Sequence, residues 1–321
     1  MREMVDEGGR IPVIGDCRLT IPSMLAALKT FVVGLLMGSA DVVPGVSGGT
    51  IALVTGIYER LIASIRSGSS ALGSLIKGDF AGMKRNLRDI EWAFLLLILG
   101  GILTAVLSLA KLIEVQLEEN PVTLAAAFFG LVLGSIVVAS RMVRLPVLAH
   151  LMVVLVVGVA IFVLLGVGSD AVKSNPGLLA YFGSAALAIC AMILPGISGS
   201  LILVLIGMYD SVLGAVNDRD LPAVAIFIAG AIVGLAFFSQ ILHVALRRWH
   251  DMVLAGLIGL MVGSLRILWP WPDGVEGSGL SGPEGDLPGV LLAALVGFAA
   301  VLAIARLAPT DVAEESVQRV P

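Results

Sequence analysis

The amino-acid sequence predicts an all-α polytopic membrane protein built from two inverted-topology repeats, each a broken or re-entrant helix pair followed by three transmembrane helices. Three observations lead to this. The 321 residues are 58% hydrophobic and 14% charged, with a mean hydropathy of +1.03, which excludes an ordinary soluble domain. Apolar runs approaching the roughly 20 residues that a spanning helix needs recur along the chain. The first run is interrupted by "DVVPGVSGGT" at residues 41–50, and the interruption returns as "MILPGISGSL" at residues 192–201.

The elements follow in order. Residues 1–23 mix acids, glycines and prolines and lack the basic flank and apolar core of a cleavable signal peptide, so they read as a polar cytoplasmic leader. Repeat 1 covers residues 24–168. Its segments 24–43 and 51–66 flank the first break, and 92–113, 122–141 and 147–168 are three spans. Repeat 2 covers residues 169–308. Here 178–194 and 201–216 flank the second break, and 222–246, 252–271 and 288–308 are the spans. Residues 309–321 form a polar cytoplasmic tail.

The duplication rests on a gapless match of residues 40–62 onto 191–213, an offset of 151 positions. Ala40/Ala191, Pro44/Pro195, Gly45/Gly196, Ser47/Ser198, Gly48/Gly199, Ile51/Ile202, Gly56/Gly207 and Tyr58/Tyr209 are identities, and Glu59 faces Asp210. "GLVLGS" at 130–135 and "GLMVGS" at 259–264 match at a different offset, so the intervening loops differ in length. Glycines at such spacing suit close helix packing in a bilayer. A broken pair returns the chain to the side it left, and three further spans place the second pair on the opposite side. The repeats are therefore expected to be inverted, an arrangement whose binding site lies at broken helices near the midplane.

Basic residues orient the chain. Lys77, Lys84, Arg85, Arg88, Arg141, Arg144, Arg247 and Arg248 fall on one side, against mainly Lys111, Lys173 and Arg219 on the other. The basic side is cytoplasmic by the positive-inside bias, which puts both termini there in a cell (plasma) membrane. Trp269 and Trp271 then lie at the outer interface, where an aromatic belt is expected.

Non-helical backbone at membrane depth is tolerated where it lines a cavity, and a bare Pro-Gly kink does not require the Ser-Gly that follows it. A helix starting at Gly48 or Gly199 offers unpaired amides and the positive end of its dipole. Ser47, Thr50, Ser198 and Ser200 add hydroxyls, and Gly45, Gly49 and Gly196 allow close approach. Together with Pro44 and Pro195, these residues suit an anion such as phosphate. Intramembrane charges are functional candidates by default. Arg266 is either an attractor for an anionic headgroup or a snorkelling arginine. Asp41, whose aligned partner is Met192, is either a proton or sodium coupling site or a local cap. Glu59 and Asp210 are interfacial, or coupling carboxylates if the hairpins lie deep. "KRNLR" at 84–88 is a positive-inside loop, with attraction for anionic membrane lipids as a secondary use.

Other chemistry finds little footing. Three histidines and two cysteines supply no metal cluster, no phosphate-binding Walker loop is present, and no nucleophile–base pair stands out. No cofactor is expected. The net charge of −4 gives no footprint for nucleic acid.

At "ADVVPGVSGGTIALVTGIYERLI", "PGISGSLILVLIGMYDSVL" and "GLMVGSLRILWPW", the chain resembles the PopT-type polyprenyl-phosphate transporters, over about residues 25–308. The resemblance implies inverted repeats with re-entrant helices. It also implies movement of a lipid carrier phosphate, such as undecaprenyl phosphate, from the outer to the cytoplasmic leaflet for reuse. It makes the two Pro-Gly-x-Ser-Gly tips and Arg266 candidates for headgroup binding. A small-anion transporter and an intramembrane lipid-phosphate enzyme are the competing expectations.

Overall fold

The computed structural model describes residues 24–42, 47–144, 147–166, 176–272, 274 and 280–307. The leader and tail lie outside the described residues, as do Pro44 and Gly45. Among the described residues the chain forms twelve helices and no strand. They are α1 (Met24–Asp41), α2 (Gly48–Val54), α3 (Tyr58–Ile76), α4 (Phe80–Arg88), α5 (Trp92–Glu119), α6 (Pro121–Ser140), α7 (Leu148–Leu164), α8 (Leu178–Ile193), α9 (Gly199–Leu205), α10 (Tyr209–Asn217), α11 (Leu221–Ser264) and α12 (Leu287–Leu307).

Five of these, α1, α6, α11, α12 and the first part of α5, are long and apolar enough to cross a membrane. α7 and α8 are shorter apolar helices. Leu96, Leu99, Leu103 and Leu107 on α5, and Leu291, Leu292, Leu295 and Val296 on α12, stay exposed. Such stripes suit contact with hydrocarbon and would be costly in water.

The segments on either side of each break match the sequence expectation, with three adjustments. Residues 51–66 are not one half-helix, because the chain turns sharply at Gly56 into α3, which continues to Ile76. Residues 201–216 divide in the same way at Gly207, where α9 and α10 meet at 109°. Residues 222–246 and 252–264 are the two helical arms of α11, parted by a kink at Trp249 (φ −136°, ψ 48°) as expected, but the second arm ends at Ser264 and the chain unwinds into turns instead of continuing to Trp271.

The two short-helix turns have one geometry. Ile57 N donates to Ala52 O and Gly56 N to Leu53 O, while Met208 N donates to Leu203 O and Gly207 N to Val204 O. Each is a Schellman cap closed by a glycine with positive φ, +76° at Gly56 and +67° at Gly207. A side chain at either position would be strained, so the aligned glycines are explained by backbone conformation.

Helix pairing follows glycine seams spaced four apart. Gly34 and Gly38 seat α1 on α5, and Gly230 and Gly234 seat the first arm of α11 (residues 221–248) on α8. Gly130 and Gly134 seat α6 on α12, and Gly259 and Gly263 seat the second arm of α11 (residues 250–264) on α7. A Cβ at Gly130 would fall 1.8 Å from Ala294 O, and one at Gly259 would fall 2.9 Å from Val154 O. The first two seams join helices of the same half of the chain. The last two cross between halves, each joining the fourth apolar segment of one half to the fifth of the other.

The tryptophan pair departs from the belt expectation. Trp271 is buried, and Trp269 packs edge-on against both Phe129 and Trp271. Their indole N–H groups donate to Ser281 O and Glu284 O at 3.0 Å each. The pair holds the loop before α12, because a buried indole N–H needs an acceptor and the loop backbone provides one.

Candidate functional site at the paired helix breaks

The two breaks meet in space. Ser47 Oγ lies 3.3 Å from Met192 O, which accepts its hydrogen bond, and Tyr58 Oη donates to Ile193 O at 3.2 Å. Gly196 N donates to Thr50 Oγ1 at 3.0 Å. The last carbonyls of α8, which have no partner within their own helix, are therefore satisfied by side chains that follow the other break. Gly196 takes φ +89°, and a Cβ there would fall 2.8 Å from Met261 Cα, so the second tip rests directly on the second arm of α11.

Ser47, Thr50 and Ser198 are buried, at 1%, 0% and 7% exposure, and Pro195 is fully buried. Three hydroxyls at such depth need partners, and they find them within the paired tips. Ser47 Oγ also accepts from Gly49 N at 3.1 Å, and the hydroxyls of Ser198 and Ser200 lie 2.7 Å apart.

Each short helix begins at the glycine the sequence indicates, Gly48 and Gly199, but the two starts are dressed differently. At α2, Asp41 Oδ1 accepts from Gly48 N at 2.6 Å, Ser47 Oγ caps Gly49 N, and Thr50 N donates to Ser47 O. A Cβ on Gly48 would fall 2.6 Å from Asp41 Oδ2. The first tip thus carries its own carboxylate where a bound anion was expected, which favours the capping reading of Asp41. At α9, Ser198 makes no side-chain cap. The place of the carboxylate is taken by Met192, whose Cβ lies 3.5 Å from where a Gly199 Cβ would sit.

The remaining candidates lie apart from the tips. Arg266 sits in the turns after α11, with its guanidinium 4.7 Å from the Phe162 ring centroid and packed over Gly166 at the end of α7. It lies five positions beyond Met261, in the turns that leave α11. Glu59 is exposed and pairs with His250 Nε2 at 3.2 Å, and Asp210 is exposed at the start of α10. Tyr58 was singled out in the sequence only as half of an aligned pair, and its hydroxyl bond across the breaks was not foreseen. Its burial at 2% against 37% exposure of Tyr209 sets the two apart.

Apolar spanning helices, paired breaks and a buried hydroxyl cluster between them define a polytopic helical membrane protein with a polar centre. A family model described as undecaprenyl phosphate translocase-like matches residues 37–281. The chain belongs to that family. It is 45% identical over 249 residues to a polyprenyl-phosphate transporter of Vibrio cholerae, covering 77% of this chain and 79% of that protein. It is 31% identical over 254 residues to a polyprenyl-phosphate transporter of Staphylococcus aureus, covering 74% of this chain and 84% of that one. These relatives are named as transporters, not enzymes. No solved structure matches.

Proposed function

We propose that the protein is a transporter of polyprenyl phosphate, carrying the lipid from the outer to the cytoplasmic leaflet of the cell membrane by alternating access around the paired tips. Membership of the translocase-like family and the two transporter relatives support the substrate class. The observation that carries the site is the meeting of the breaks: the buried Ser47 and Thr50 hydroxyls bond Met192 O and Gly196 N of the distant second break, where the Ser198 and Ser200 hydroxyls bond each other.

A phosphate headgroup cannot cross hydrocarbon unshielded, since an isolated intramembrane charge costs from a few to more than ten kcal/mol. Hydroxyls and backbone amides at the tips replace its hydration while the prenyl tail remains in lipid. The second tip is the better receiving half, because no carboxylate occupies its helix start. Arg266 then acts as an outer electrostatic attractor.

The two repeats are inverted in this proposal, and both termini are cytoplasmic. The exchange of helices between halves, α6 with α12 and α7 with the second arm of α11, is the pairing that a two-fold relation between halves requires. Any coupling to a proton or sodium gradient would act through Asp41, the acidic candidate that contacts a tip, by releasing its cap on Gly48 N when the carboxylate is neutralised.

The test is reconstitution in liposomes with labelled polyprenyl phosphate, scored by leaflet accessibility with and without pH or sodium gradients. Protein-dependent loss of outer-leaflet label is the expected outcome. Uptake of free phosphate with no preference for the prenyl form would make the protein a small-anion transporter, and release of inorganic phosphate would make it an enzyme.

A further inference from the structure

Away from the tips, α3 runs antiparallel along α11. Glu59 pairs with His250, and further along, Gln240 Nε2 donates to Ser69 Oγ at 3.3 Å and Ser70 Oγ at 3.1 Å. The hydroxyls of Ser69 and Ser239 are 3.5 Å apart. Between these two anchor points lie Arg66 on α3 and His243 on α11, with His243 within electrostatic reach of both Arg66 and Arg247. Gln240, His243 and Arg247 follow at helical spacing on one face of α11, and Arg66, Ser69 and Ser70 do so on α3.

This cluster is unbalanced. Arg66 Nε is buried, and it is the buried side-chain nitrogen or oxygen without a hydrogen-bond partner among the described residues. The neighbouring acids are engaged: Glu59 and Asp251 both pair with His250. The nearby arginines also have partners, Arg60 in Glu91 and the Phe94 face, and Arg248 in the Trp249 ring. A buried donor left unmet beside like charges is costly, and an acceptor bound there would complete it.

We propose that Arg66, His243 and Arg247, with the Gln240 amide beside them, form a second anion site that takes a phosphomonoester. Two permanently charged guanidinium forks balance a phosphomonoester, which carries about −1.5 to −2 at neutral pH, whereas a carboxylate would leave one cation unmatched. Arg66 lies two turns along α3 from Tyr58, about 12 Å at helical rise. The site is therefore set off from the tips, on the side where Lys77, Lys84, Arg85 and Arg88 also lie. If the ligand is a lipid headgroup, the site is a station where it rests on the cytoplasmic side. That source rests on the function proposed above, whereas the anion site itself does not.

Hydrogen exchange on the purified full-length protein in detergent tests this, with farnesyl phosphate and inorganic phosphate as separate probes. Ligand is expected to protect residues 62–70 and 239–247, and Arg66→Gln should weaken the apparent affinity for that protection at least tenfold. Arg247→Gln, at an exposed position where folding is not at risk, should weaken it severalfold. Ser198→Ala, at the tips, should leave it unchanged. Tighter binding of farnesyl phosphate identifies a lipid source, and equal binding identifies free phosphate. Absence of protection in the wild type, or protection unchanged in both arginine variants, overturns the site. Either result leaves the liposome measurement of transport to stand or fall by itself.

Discussion

The two helix breaks share a sequence signature and a turn geometry, yet they end in different chemical states. Around Gly48 the chain supplies Asp41 and Ser47, and the first three amides of α2 all have acceptors. Around Gly199 it supplies Met192, and Ser198 turns to Ser200 without capping the helix. Met192, at the end of α8, is 43% exposed, whereas Pro195 and Ser198 of the second tip are buried, as is Ser47 of the first. One duplicated motif has thus diverged into a half whose helix start is capped by its own carboxylate and a half whose helix start carries no side-chain cap, the half to which the proposed function assigns the headgroup.

The largest effects should come from breaking the capped half. Gly48→Ala drives a methyl group into the Asp41 carboxylate, and overpacking of this kind costs about 1–3 kcal/mol. Asp41→Ala strands a buried amide at a similar cost of about 1–3 kcal/mol. Both should lower the thermal midpoint of the purified protein and reduce transport with it, and an unchanged midpoint would show that the cap carries no weight. Asp41→Asn should keep an acceptor for Gly48 N, holding stability closer to wild type while removing any dependence of transport on an ion gradient.

Next in size is a conversion of the uncapped half into the capped one. Met192→Asp places a carboxylate where the first tip has one. It is expected to occupy the start of α9 and cut transport at least tenfold in liposomes, with no loss of thermal stability. Wild-type transport in this variant would remove the second tip from the headgroup path.

The hydroxyls separate the halves more finely. Ser47→Ala removes a cap and the bond to Met192 O, and should destabilise by about 1 kcal/mol. Ser198→Ala should leave the thermal midpoint near wild type and lower transport instead. Smallest is the tyrosine pair: Tyr58→Phe loses the bond to Ile193 O, about 0.5–1.5 kcal/mol, whereas Tyr209→Phe, at an exposed ring, should be silent in the same thermal melt.

Much of this difference was legible in the letters. The starts at Gly48 and Gly199 follow from Ser-Gly after Pro-Gly, because serine caps and glycine tolerates close approach. The lack of an acidic partner for Asp41 at Met192 already marked the asymmetry. Gly56 and Gly207 were visible as identities, but their role as turn-closing residues needed backbone angles. What stayed hidden depends on distance in space. Nothing local announces that Tyr58 reaches Ile193, that the tryptophans serve a loop instead of lipid, or that Arg66 is set against His243. Arg66 aligns with Asn217, so the duplication gave it no echo to draw notice.

The exchange of helices between halves bears on biogenesis. α7 emerges from the ribosome well before residues 250–264, the stretch whose glycines receive it, and α6 waits for α12, near the end of the chain. Each early helix must therefore wait in the bilayer without its main packing partner until a late one arrives. A truncated product lacking α12 would lack a partner helix for α6, and the first half made alone would lack partners for both α6 and α7. The two halves, co-expressed as separate polypeptides, should instead find each other, because each holds the missing piece of the other's packing.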